Sequence, residues 1–128
     1  INLNTGEHEW QVPLGKGPTD HPAIAHLDLG DLGSVFSDVV AEGGVLVTKS
    51  LVISYLAAKD EIGPEETGSI LVAFDKTNGT KAGEVYVDQR LHGPIMSYQH
   101  DEIQYIAVAG GGRDNDAELL VFKLGNTP

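Results

Sequence analysis

The chain has 128 residues, no cysteine, and 8 Lys+Arg against 19 Asp+Glu, a formal net charge of -11 at pH 7. That length buries one modest core, and that charge repels nucleic-acid phosphates and anionic membrane surfaces alike, which argues against a nucleic-acid partner. Without cysteine there is no disulfide, thiolate-bound zinc or thiol catalysis; no apolar run approaches the roughly 18 residues of a membrane span, and no basic-then-apolar signal segment stands at the start.

Ile1 falls inside a turn motif, as expected of a processed chain or a portion of a longer one. In N-L-N-T-G-E-H-E-W (Asn2 to Trp10), the Asx side chain is suited to accept hydrogen bonds from the amides of its own turn. Gly6 supplies the positive φ of a tight turn, and Trp10 stands on the strand that follows, where a flat ring covers a junction. Gly15 to Glu42 mixes Gly, Pro and Asp with no sustained period, so it reads as a long excursion with one short helical turn near Pro22 to Leu27. Gly43 to Ala57, GGVLVTKSLVISYLA, reads as a hairpin turning at Lys49-Ser50.

Lys59 to Gly68 is acidic, contains Gly-Pro and reads as a solvated loop. Ser69 to Asp75, SILVAFD, is apolar enough to be covered on both faces. Asp75 to Gly83 repeats the turn grammar, with Gly79 in the place of Gly6 and Gly83 in the place of Trp10, which predicts a repeat that has lost its aromatic cover. Gly83 to Gln89 alternates as a half-exposed fourth strand does. The pattern then restarts with Gly93 to Gln99, a turn at His100-Asp101-Glu102, Ile103 to Gly111, an acidic loop, and Ala117 to Gly125.

Gly43 and Gly93 begin equivalent strands fifty positions apart. A repeat of about 40 to 50 residues with four antiparallel strands is the signature of a propeller blade. The expected fold class is therefore all-β, a partial β-propeller of four-stranded antiparallel meanders in one segment. Residues 1–14 end one blade, 15–42 form a long loop, 43–89 make one full blade, and 93–125 supply three strands of the final one. Because each blade buries its faces against neighbours, these residues are expected to be the tail of a larger protein.

Candidate chemistry is sparse. Asp20-His21-Pro22 has the composition of an acid/base pair or a metal ligand, but Asp20 before a Pro-initiated turn is first of all a local amide acceptor. His26, His92 and His100 lack metal-ligand spacing and read as surface or packing residues. The acidic group Asp60, Glu61, Glu65 and Glu66 lacks the alternating oxygen donors of a calcium loop. Asp114-Asn115-Asp116 is closer to such a loop but reads by default as a turn.

The pattern D-x-x-T-G-x-x-x-W, present as Asn2, Thr5, Gly6 and Trp10, resembles the tryptophan-docking motif of the pyrroloquinoline quinone (PQQ) dehydrogenases, which form eight-bladed propellers. The ordered series GPTDHPAIAHLDLGDLG, GGVLVTKSLVIS, LVAFDKTNG, GPIMSYQHDEIQYIAVAGGG and AELLVFKLG looks like the carboxyl-terminal portion of the membrane-type quinoprotein glucose dehydrogenase-like group. The resemblance implies PQQ at the mouth of the central channel, with Ca2+ bridging its oxygens as a Lewis acid, and a carboxylate base acting while the cofactor takes a hydride or its equivalent. The base, the calcium ligands and the residues that sandwich the ring belong to earlier blades, so no catalytic residue and no metal ligand is assigned here. The cofactor-binding candidates carried over are Gly43 and Gly44, a Gly-Gly step whose missing side chains allow close backbone approach; strand crowding around a propeller axis explains the same two glycines. Relatives commonly place an asparagine before this step, where this chain has Ala41 and Glu42.

Two functions are in play. One is a periplasmic PQQ-dependent dehydrogenase acting on a small sugar or alcohol and passing electrons to a quinone or cytochrome, any membrane contact being made through an N-terminal part outside these residues. The other is a non-catalytic propeller of PQQ-like repeats that binds proteins as a scaffold. The long excursion favours the enzyme; the lack of an assignable catalytic carboxylate favours the scaffold, and these residues alone are expected to be inactive.

Overall fold

The computed structural model describes residues 1–17, 19, 21–30, 32–33, 44–63, 65–112 and 116–123, the side chain of Asp60 excepted. Among them are seven strands, two 3-10 turns and no α-helix. The strands are β1 (Leu46–Val47), β2 (Leu51–Ala57), β3 (Ser69–Asp75), β4 (Lys81–Val87), β5 (Leu91–His100), β6 (Ile103–Gly110) and β7 (Glu118–Lys123). They form two antiparallel sheets in sequence order, β1-β2-β3-β4 and β5-β6-β7. This is the all-β, partial-propeller architecture that the repeat predicts.

Alternation along β2 and β3 gives the first sheet two apolar faces. Ile53, Tyr55 and Leu71 turn one way and meet Leu91, Ile95, Ile106 and Val108 of the second sheet in a single core. Ile70, Val72 and Phe74 turn the other way and, with Leu56, pack under Val12 and Leu14. The expectation that β3 is covered on both faces holds: Ser69 to Val72 and Phe74 are buried. Residues 10–14 alternate half-buried and exposed as a strand does, but among the described residues they pair with no strand.

The two copies of the turn are alike atom for atom. The Asn2 Oδ1 accepts from the Asn4 amide at 2.9 Å, and the Asp75 Oδ1 accepts from the Thr77 amide at 2.7 Å. Gly6 N–H donates to the Asn2 carbonyl at 2.7 Å and Gly79 N–H to the Asp75 carbonyl at 2.8 Å, with φ of 78° and 75° at the two glycines. Trp10 covers the second copy rather than its own. Its Nε1 donates to the Lys76 carbonyl at 2.8 Å, and a Cβ on Gly79 would stand 2.7 Å from its Cε3. The Asp75–Gly79 turn therefore has its aromatic cover after all, supplied by the segment before it; what Gly83 leaves out is a ring of its own to pass on.

Smaller differences have local causes. β4 begins at Lys81, two residues before the expected Gly83, because the turn closes early through Asp75 N–H to the Thr80 carbonyl at 2.8 Å. A bulge where Phe74 pairs with Lys81 and Ala73 with Gly83 absorbs Ala82. The expected helical turn near Pro22 to Leu27 is a 3-10 turn at Ala25–Leu27, and the hairpin turn at Lys49-Ser50 is closed by Thr48 and Leu51. Glu61, Glu65 and Glu66 follow a second 3-10 turn, Ala58–Asp60, whose Ala58 is fully buried.

Trp10→Ala should lower stability by about 2 kcal/mol, less than the 3–5 kcal/mol of a fully buried ring because Trp10 is half-buried, as read by chemical denaturation. At the β5–β6 turn, Asp101 and Glu102 are both left-handed, with φ of 49° and 63°, in a two-residue hairpin loop that favours Asn-Gly. Glu102→Gly should therefore raise stability by about 0.5–1 kcal/mol, and a loss of stability would show that the strain is absent.

Candidate functional site

The sequence points to the start of the inner strands, and the structure shows why that place is tight. Gly43 lies outside the described residues. Gly44 lies against the start of β5: a Cβ on it would stand 2.7 Å from the Ile95 nitrogen, 2.8 Å from the Gly93 carbonyl oxygen and 2.9 Å from Pro94 Cα. All three are backbone atoms and none can swing aside, so the missing side chain lets the two inner strands touch. The space at Gly44 is filled by protein.

Hydrogen bonds fix the same junction. The Tyr55 hydroxyl, on a residue only 2% exposed, donates to the Gly93 carbonyl at 2.8 Å. Ser54 Oγ donates to the Gly44 carbonyl at 3.2 Å. Ser69 Oγ accepts from the Leu91 amide at 2.9 Å and ties β3 to the first residue of β5. Gly93 has φ 72°, and the β5–β6 register shifts between His92 and Met96, so the contact is made by a bulge. Sequence reasoning took Tyr55 only as part of an apolar strand. Its one available signal was the rule that a buried phenol needs a partner for its hydroxyl.

The histidines do not converge. His92 Nε2 is 3.0 Å from the Gly111 carbonyl oxygen, His100 stands beside Asp101 at 3.4 Å on the surface, and His21 Nδ1 accepts from the Ala23 amide at 3.2 Å. His21 is thus a local acceptor; Asp20, the residue expected in that role, lies outside the described residues, as do Asp114 and Asn115. Among the described residues no group of three or more His, Asp or Glu is placed to hold a metal ion.

A recess with charged lining lies elsewhere. A groove of about 250 Å³ runs between Val12, Leu14 and the first sheet, lined also by Phe74, Glu61, Lys81 and Glu84. Lys81 Nζ donates to Glu84 Oε2 at 2.6 Å and stands 3.9 Å from Glu61. The hydrogen bond to Glu84 holds the ammonium above its ordinary 10.5, with burial working against it and the charges of Glu84 and Glu61 adding to it. A base for neutral pH needs a lowered lysine pKa, so Lys81 is a charge partner here and not a proton acceptor. A second hollow near the 3-10 turn, lined by Thr19, Ile24, Asp28 and Leu29 among others, offers one titratable side chain.

The family model described as the PQQ glucose/ethanol/alcohol dehydrogenase beta-propeller domain matches residues 1–106. No curated protein and no solved structure matches the chain. The match spans the Trp10 dock, the whole first sheet, β5 and the first half of β6, and the chain belongs to the PQQ-type glucose/ethanol/alcohol dehydrogenase β-propeller family.

Proposed function

We propose that the whole protein is a periplasmic PQQ-dependent dehydrogenase that oxidises a sugar or alcohol and passes electrons to a quinone or cytochrome, with Ca2+ beside the cofactor. The observation that carries this reading is the Trp10 ring seated on the Asp75–Gly79 turn, blade against blade, in a chain of this family. The ordered resemblance to the quinoprotein glucose dehydrogenase-like group supports the choice of substrate class. In this reading the described residues contribute shape. They hold two neighbouring blades at a fixed angle through Gly44, Tyr55 and Ser69, and the base, the calcium ligands and the ring contacts come from other blades. When bound, PQQ supplies the two-electron acceptor.

The scaffold reading has one observation in its favour: among the described residues the second sheet exposes the apolar side chains of Met96, Tyr98, Leu119 and Val121 on one face. Equilibrium binding of PQQ to the apo-protein, expressed from its complete reading frame, separates the two. The dehydrogenase reading expects saturable binding that requires calcium, followed by dye-linked oxidation of glucose or ethanol. A folded protein that does not bind PQQ is the scaffold.

Gly44 gives a second test. Gly44→Ala pushes a methyl into the β5 backbone and should lower stability by about 1–3 kcal/mol in the absence of PQQ. An apo-protein of unchanged stability that has lost PQQ affinity would instead make Gly44 a cofactor contact.

A further inference from the structure

The turn that Trp10 covers carries the chain's one Asn-Gly step, Asn78-Gly79. Asparagine is a thermolabile residue, and a following glycine makes it more so, because no Cβ keeps the glycine nitrogen away from the asparagine side chain. In the reaction the Gly79 nitrogen gives up its proton and its lone pair forms a bond to Asn78 Cγ. The Cγ–Nδ2 bond breaks, and ammonia leaves with that proton. Water then opens the cyclic imide at either carbonyl, giving aspartate or isoaspartate, the second with the side-chain methylene in the main chain.

The folded turn holds each group that this step must move. Gly79 N–H donates to the Asp75 carbonyl at 2.8 Å, which retains the proton that has to leave. Asn78 Oδ1 accepts from the Thr80 amide at 2.8 Å, which fixes the side chain that has to turn. Asn78 is exposed but Gly79 is buried: a Cβ on it would stand 2.7 and 2.9 Å from Cε3 and Cδ2 of Trp10 and 3.1 Å from Val12 Cγ1. The ring is pinned in turn by its Nε1 bond to the Lys76 carbonyl at 2.8 Å. The first copy of the turn is the contrast. Thr5 stands where the second copy has Asn78, and a Cβ on Gly6 would meet nothing within 4 Å. The uncovered turn lacks the Asn-Gly step, and the covered turn has it.

We infer that Asn78 is a deamidation site gated by the Trp10 dock. While the ring is seated, the Gly79 nitrogen is kept from Asn78 Cγ, so the reaction runs through molecules in which Trp10 has lifted off by local opening. The isoaspartate product does not close the same turn, because its main chain is longer between the Asp75 carbonyl and Gly79 N–H, and the ring loses its seat. Opening of the dock is thereby recorded in the chain as a covalent, one-way change.

Peptide mapping by mass spectrometry tests this on the protein expressed from its complete reading frame and aged in warm, mildly alkaline buffer, folded and in urea. Asn78 should react far more slowly in the folded protein than in urea. Trp10→Ala, with its circular dichroism unchanged, should raise the folded-state rate roughly tenfold to thirtyfold. Trp10→Phe, which keeps a ring but has no N–H for the Lys76 carbonyl, should lie between, and it carries the comparison if Trp10→Ala does not fold. Gly44→Ala, which destabilises the first sheet at its inner end, should leave the rate at Asn78 as it is. A parent protein that reacts as fast folded as in urea, Trp10 variants that react at the parent's rate, or a Gly44→Ala protein accelerated as much as Trp10→Ala each overturns the gate. Aged parent protein should also melt at a lower temperature in step with its isoaspartate content, while Asn78→Thr, with the residue of the first copy, should not. An unchanged melting temperature in fully reacted parent protein overturns the one-way release.

Discussion

Everything in this structure depends on β3 being apolar on both faces. A sheet that lies against solvent on one side alternates apolar and polar residues; Ile70, Leu71, Val72 and Phe74 do not alternate, so the sheet is stable only between two neighbours. One neighbour is the second sheet, through Leu71, and the other is the amino-terminal segment, through Ile70, Val72 and Phe74. The layered arrangement is a consequence of that one strand.

The Asp75–Gly79 turn is where the layers are tied. Its Lys76 carbonyl accepts from Trp10, its Lys76 amide donates to the Ser50 carbonyl, and the Lys76 ammonium reaches the Thr48 carbonyl at 3.1 Å. One lysine thus joins the amino-terminal segment, the β1–β2 turn and the β3–β4 turn. At the opposite, inner end, Gly44 and Tyr55 join the first sheet to the β5 bulge. Outer turn and inner rim together tie the two sheets and the amino-terminal segment to one another.

The strands were legible in the sequence because their chemistry is local: period-2 alternation, Asx acceptors and glycines at positive φ act within a few residues. The fifty-residue spacing of Gly43 and Gly93 made the repeat legible as well. What could not be read was contact between distant residues. The residue that Trp10 covers lies more than sixty positions away, so its seat on Gly79, rather than on its own turn, is invisible to a local reading. Tyr55 looked like core, and its hydroxyl partner is set by a bulge in another sheet. The Gly43-Gly44 candidate was half legible: the need for a missing side chain was plain at Gly44, but whether backbone or ligand filled the space depended on where β5 fell.

Family membership and local packing therefore say different things about function. Membership points to PQQ chemistry, while the packing of the described residues shows a frame that ties the two sheets and the amino-terminal segment together. The frame rests on two-sided burial of the first sheet, and hydrogen–deuterium exchange resolved by residue tests that most directly. The slowest exchange should fall in β3, with residues 10–14 and the outer edge of β7 exchanging far faster. If β3 exchanged as fast as residues 10–14, the first sheet would not be held between two neighbours and the account would fail.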